Sequence, residues 1–287
     1  MTVLTAVLAL GALTLALAFA LSTASRRLRV IEDPRIDVVD AMLPRANCGA
    51  CGHPGCRAFA EAVVAGAAVP AKCSVSSEAQ RQRIADYLGV AAGSAERRVA
   101  RLACAGGANV ARQRAHYRGP SGCRAAQAVG GGAKGCLWGC LGFGDCERSC
   151  NFNAIRMDES GLPRVDEAAC TACGDCVRVC PRDLFSLQAV GNRLWVACRN
   201  LEHGDTVLAQ CEVGCTACGR CAADAPDGLV IMNGNLPVVD YARPQLRTPI
   251  ERCPTGAIVW IDPGRGAVRG AASPPVLRRS RLPDGAS

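Results

Sequence analysis

Twenty of the 287 residues are cysteine, and most stand in short runs with two to five residues between neighbours. That density needs a collective reason: disulfides in an oxidising compartment, or thiolate ligands in a reducing one. Runs of C-x-x-C cannot readily close on themselves, so they read as ligand sets. Aromatic residues make up 4% of the chain, too little for an ordinary large core. Much of the folded mass is therefore expected to condense around inorganic groups, as small metallo-domains do.

Residues 1–25 carry no charge, and 3–21 is almost entirely Leu, Ala, Val and Phe. About 20 apolar residues make a helix of roughly 30 Å, enough to cross a bilayer. Arg26, Arg27 and Arg29 follow at once. A cleaved signal peptide would carry its positive charge before the apolar run, so an uncleaved anchor is the better reading. The positive-inside bias then places the N-terminus outside and the rest in the cytoplasm, a compartment that suits thiolates. At the other end, 263–287 reads as a disordered basic tail, with Arg265, Arg269, Arg278, Arg279 and Arg281 against Asp284. Affinity for anionic lipid or docking of an acidic partner would each explain it. The net charge of +8 comes with no nucleic-acid module, so nucleic acid is not an expected partner.

Between these ends the pattern predicts an α+β chain: an N-terminal transmembrane helix (1–25), a small, mostly helical [4Fe–4S] domain (26–90), a connecting region (91–135), and bacterial-ferredoxin-like units. The first ligand set is Cys48, Cys51, Cys56 and Cys73, with helices expected over 37–43, 57–64 and 77–88. A structural zinc in the same thiolates is the competing reading. His53, alone in that loop, reads as a bystander.

A two-cluster unit follows over 136–210. The run Cys170-x2-Cys173-x2-Cys176-x3-Cys180-Pro181 has the bacterial ferredoxin spacing, and Cys136-x3-Cys140-x5-Cys146-x3-Cys150 is a stretched version of it. In such units the fourth cysteine of each run serves the other cluster. The expected sets are thus Cys136/Cys140/Cys146/Cys180 and Cys150/Cys170/Cys173/Cys176. Two short strands around a turn at Gly161 separate the runs. Residues 211–262 repeat this plan with half its metal. Cys215, Cys218, Cys221 and Cys253 form one set, while Ala225, Pro244, Arg247 and Ile250 stand where the second set would be. A last strand is expected over 257–261. Cys104, Cys123, Cys198 and Cys211 are left over; they bring the total to five fours, and a further metal site, buried structural thiols and a redox-regulatory role all remain open. The run Gly130-Gly-Gly-Ala-Lys134-Gly135 lacks the strand-to-helix context of a phosphate loop and reads as a turn.

Taken in order, Leu43-Pro44-x-x-Asn47-Cys48-Gly-x-Cys51-Gly-x-Pro54-Gly-Cys56, Lys134-Gly-Cys136-x-x-Gly-Cys140-Leu-Gly-x-Gly-Asp145-Cys146 and Cys180-Pro-Arg182 resemble the B subunit of the Rnf electron-transport complex. That complex is an ion-translocating ferredoxin:NAD oxidoreductase of bacterial membranes. The resemblance covers roughly 1–260 and implies about four [4Fe–4S] clusters, five if the leftover quartet joins them. It also implies soluble ferredoxin or a similar redox protein and the other complex subunits as partners. The place implied is the bacterial cytoplasmic (inner) membrane, crossed once, with the bulk on the cytoplasmic side. The subunit would be non-catalytic alone but part of a translocase. No strand–GxGxxG–helix unit is present for NAD. Two rival readings are a membrane-tethered polyferredoxin subunit of another oxidoreductase and a zinc-binding structural protein.

Overall fold

The computed structural model describes residues 2–27 and 32–275. Arg29 and the tail from 276, with Arg278, Arg279, Arg281 and Asp284, lie outside the described residues. The first helix, α1 (Thr2–Arg27), is long and apolar enough to cross a membrane by length and composition. From Leu4 onward none of it is buried, so its Leu, Val and Phe side chains find no cover among the described residues.

Three helices build the next domain: α2 (Pro34–Met42), α3 (Cys56–Val64) and α4 (Glu78–Leu88). Asp33 starts α2 by accepting the Arg35 N–H at 2.9 Å, with Pro34 in the first turn, where its missing N–H costs nothing. Pro44 then disfavours helix at Leu43, which caps α2 in extended backbone. The α4 helix begins in a reciprocal capping box between Ser77 and Gln80 and ends at left-handed Gly89. Val39, Leu43, Phe59, Val63 and Ile84 form the core, with Cys73 at its edge. The three expected helices are present, each within a few residues of its expected ends.

From 98 onward the chain makes one plan twice: a strand, cysteine loops, a hairpin, and a closing strand. In the first unit β1 (Arg98–Leu102) pairs antiparallel with β4 (Phe185–Ala189), around the hairpin β2 (Ile155–Met157) and β3 (Pro163–Val165). In the second, β5 (Leu194–Val196) pairs with β8 (Ile258–Asp262), around β6 (Val230–Asn233) and β7 (Leu236–Val239). Short helices sit between: α5 (Cys123–Ala128), α6 (Asp145–Arg148), α7 (Asp175–Val179), α8 (Gly204–Gln210) and α9 (Arg220–Ala223). The opening strands touch end to end. The Ala105 N–H donates to the Ala197 carbonyl at 3.0 Å, and the Trp195 indole donates to the Leu102 carbonyl at 2.9 Å.

Three expected boundaries change. The 91–135 region is no linker, since it carries β1 and α5. Its strand was hidden because Arg101 sits buried between Ala100 and Leu102, answered by Glu167 at 3.4 Å. The second unit opens at β5, not at 211, because its first strand must pair with β8. The tail starts as structure: the Asp262 carboxylate accepts the N–H groups of Gly264 and Arg265, turning the chain so that β9 (Gly266–Val268) pairs with β8.

Candidate metal centres

Three loops follow the same backbone course. Each is seven residues long: Cys140–Cys146, Cys170–Cys176 and Cys215–Cys221. Each has left-handed backbone at its third and fifth residues: Gly142 and Gly144, Ala172 and Gly174, Ala217 and Gly219. Alternating left-handed residues of this kind turn successive amides inward and make a concavity suited to negative charge. A short helix starts at the sixth residue and buries the last cysteine of each loop, Cys146, Cys176 or Cys221. The fourth residue is Cys173 in one loop and Cys218 in another, but Phe143 in the first.

Five cavities, each of 310 to 370 Å³ with its mouth included, divide all twenty cysteines into fours. One holds Cys48, Cys51, Cys56 and Cys73. Its loop is closed by the Asn47 side-chain carbonyl, which accepts the Cys56 N–H at 2.8 Å. His53 stands off that lining and places its ring 5.6 Å from Phe59. Cys150, Cys170, Cys173 and Cys176 line a second cavity, and Cys215, Cys218, Cys221 and Cys253 a third.

The expected set Cys136/Cys140/Cys146/Cys180 is divided. Cys140, Cys146 and Cys180 line one cavity, and their fourth member is Cys123. The Asp145 carboxylate fixes it there, accepting the N–H groups of Cys123 and Arg124 at 2.9 and 3.3 Å. Cys136 lies before the seven-residue loop and faces a different cavity, beside Cys104, Cys198 and Cys211. Arg182 clamps the intervening segment, donating to the carbonyls of Cys136, Leu137, Gly139 and Gly131. The signal for Cys123 was present in the sequence: Phe143 leaves the first loop one sulfur short. At the place where a second set was expected to be missing from the second unit, Ile250 is fully buried and packs with Ala225, Leu229, Val230 and Tyr241. That place is hydrophobic core. Arg247, exposed, pairs with Glu251.

All twenty cysteines are free of disulfides. Burial pushes the thiols of Cys140, Cys146, Cys176, Cys198 and Cys211 up to about 12, and those of Cys173, Cys215 and Cys221 to about 11. Only a bound cation would make thiolates of such groups near neutral pH, and binding it would release their protons. Among the described residues no three His, Cys, Asp or Glu side chains converge tightly enough for one bare ion. A zinc site would draw its sulfurs to about 2.3 Å from the metal. All-sulfur quartets spread around larger voids instead fit a polynuclear iron–sulfur group.

Two family descriptions match the chain: an Fe-S cluster family over 43–75 and a 4Fe-4S dicluster domain over 136–184. Over 250 residues it is 38% identical to the B subunit of the Na(+)-translocating ferredoxin:NAD(+) oxidoreductase complex of Acetobacterium woodii, spanning 87% of this chain and 75% of that protein. Identity to the B subunit of the proton-translocating ferredoxin:NAD(+) oxidoreductase complex of Clostridium ljungdahlii is 37%, spanning 85% and 87%. To the B subunit of the ion-translocating oxidoreductase complex of Methanosarcina acetivorans it is 34%, spanning 88% and 93%. The repeated strand–loop–hairpin–strand plan and its cysteine quartets thus define a ferredoxin-type electron-transfer protein with several [4Fe–4S] clusters and one apolar N-terminal helix. The chain belongs to the B subunits of the ion-translocating ferredoxin:NAD oxidoreductase, or Rnf, complex.

Proposed function

We propose that this chain receives electrons one at a time from a soluble ferredoxin and relays them to flavin- and NAD-handling subunits of an ion-translocating complex. The single observation that carries this reading is the division of twenty cysteines into fours, each around its own cavity. The names of the relatives support the direction of the reading, since they speak of ferredoxin, NAD and ion translocation. Its α1 crosses the bacterial inner membrane once, with the cysteine-bearing bulk on the cytoplasmic side, as Arg26 and Arg27 after the apolar run favour.

Four ligand sets follow from the cavities: Cys48/Cys51/Cys56/Cys73, Cys123/Cys140/Cys146/Cys180, Cys150/Cys170/Cys173/Cys176 and Cys215/Cys218/Cys221/Cys253. A bound [4Fe–4S] cluster supplies one-electron chemistry at a potential that hydrogen bonds, charge and burial set. The chain's own part is to hold each set and tune it. The Ala100 and Ala154 N–H groups donate to the sulfurs of Cys170 and Cys150 at 3.4 and 3.3 Å, drawing off charge that reduction would add. Leu187 and Phe152 shield the same cavity from water. Hydride transfer is assigned to a partner subunit, since the described residues contain no strand–GxGxxG–helix unit.

Anaerobic purification with iron, acid-labile sulfide and zinc analysis, followed by EPR of the dithionite-reduced protein, tests the reading. Iron and sulfide in equal amounts, at least sixteen of each per chain (about four for each of these four sets), with interacting reduced-cluster signals, are expected. Stoichiometric zinc with little iron and no signal would sink it.

A further inference from the structure

The quartet Cys104, Cys136, Cys198 and Cys211 comes from four separate places in the chain, and no family description covers three of them. Cys104 and Cys198 occupy equivalent positions in the two units. Each stands two residues beyond an opening strand, in Leu102-Ala-Cys104 and Val196-Ala-Cys198. The contact between those strand ends brings them together, Ala105 donating to Ala197. Cys136 arrives on the segment clamped by Arg182, and Cys211 caps the C-terminal end of α8.

This cavity is prepared for negative charge beyond its four sulfurs. Lys134 is only 6% exposed, and its ammonium donates to the carbonyls of Gly106 and Cys140. No carboxylate pairs with it among the described residues, and its nearby acidic groups are the thiols of Cys136, Cys140 and Cys211. Four N–H groups also aim at the sulfurs. The Cys140 amide donates to Cys104 at 3.4 Å, and the Asn200 and Cys215 amides to Cys198 at 3.5 and 3.3 Å. The Asn200 side chain, 1% exposed, donates to Cys136 at 3.5 Å. Gly106 has no room for a side chain, because a Cβ there would lie 2.8 Å from the Cys211 sulfur.

We infer that Cys104, Cys136, Cys198 and Cys211 bind a further [4Fe–4S] cluster, seated between the two ferredoxin-like units and joining their relays. The inference rests on the iron–sulfur reading of the other four sets. Four thiols would give up four protons to the solvent on binding, and the site would then exchange single electrons with its neighbours. The geometry places neighbours on both sides. Toward the first unit, Cys140 belongs to the adjacent cavity while its N–H donates to Cys104; toward the second, Cys215 does the same for Cys198.

Iron analysis of the full chain, purified anaerobically in detergent, beside its Cys104→Ala/Cys198→Ala variant, tests this. About twenty irons in the wild type and about sixteen in the variant are expected, with the dithionite titration falling from about five electrons to about four. Sixteen irons and four electrons in both proteins would overturn the central site and leave the other four standing. Little iron in the wild type, with zinc in its place, would instead overturn the iron–sulfur reading itself. Should the variant not fold, the wild-type electron count decides alone: five supports the site and four refutes it.

Discussion

At the scale of single residues, Cys123 and Phe143 make one argument. The loop Cys140–Cys146 has the backbone of the other two loops but holds Phe143 at the place of Cys173 and Cys218. Cys123 lines the same cavity from outside the loop, seated by Asp145. Cys123→Ser is expected to lose about four irons, one cluster's worth, while Cys123→Ser/Phe143→Cys regains them by restoring the ordinary run. Iron and sulfide per chain check both; a double variant no better than the single one would show that residue 143 does not face the site. The sequence alone made most of the cavity-lining groups of cysteines legible, because ferredoxin spacing is a local pattern. It grouped Cys136 with Cys140, Cys146 and Cys180, whose cavity is lined by Cys123 instead, since a C-x3-C-x5-C run can be read as stretched or as one cysteine short. Overlaying the three seven-residue loops resolves the choice, because each spans from its first cysteine to its last over the same length.

At the scale of elements, the hairpins and helices were readable and the opening strands were not. The β2–β3 hairpin declares itself through Gly161 and through Asp158, whose carboxylate accepts the Ser160 and Leu162 N–H groups at 2.9 and 3.0 Å and the Ser160 hydroxyl at 2.6 Å. Arg164 adds an ion pair at 2.9 Å. Burial alone would raise the Asp158 pKa, but the bonds from Ser160, Leu162 and Arg164 outweigh it, and the folded value lies below the ordinary one. A depressed folded pKa means stability present above the unfolded value, near 4, and lost as pH falls through the folded value. Asp158→Asn is thus expected to cost about 1 kcal/mol at neutral pH, as lost charged hydrogen bonds do. Chemical unfolding at pH 7 and pH 3 should find the two proteins converging at the acid end; a gap that widens there would contradict the sign. A second element, α4, rests on its capping box, so Ser77→Ala should cost about 1 kcal/mol in the same assay. By contrast β1 and β5 are short, one with a buried arginine and the other of three residues, and each is defined by a partner strand 62 or more residues away. No local period could announce them. Two of the four leftover cysteines, Cys104 and Cys198, follow those strands directly, so their grouping was open in the sequence and their shared cavity forms only once the strands pair.

At the scale of the whole molecule, the cavities past residue 98 form a series through shared segments. Cys150 and Cys146, four apart, belong to the outermost cavity and its neighbour; Cys140 and Cys136 connect that neighbour to the central one; Cys211 and Cys215 lead on to the last. A relay of this kind needs a fixed address, and α1 is the one described element with no packing role inside the chain. Anchor and relay should therefore be separable. The following domain starts at α2 and keeps its own core of Val39, Phe59, Val63 and Ile84, none of which depends on α1. A chain lacking residues 1–27, expressed without partner subunits, is expected in the soluble fraction with the iron content of the full chain. The full chain should resist alkaline carbonate and need detergent, as a spanning helix requires and a surface-bound basic segment does not. Retention of the truncated chain on membranes would assign the attachment to some other surface, and loss of iron on truncation would mean that α1 supports a cluster domain as well as holding it in place.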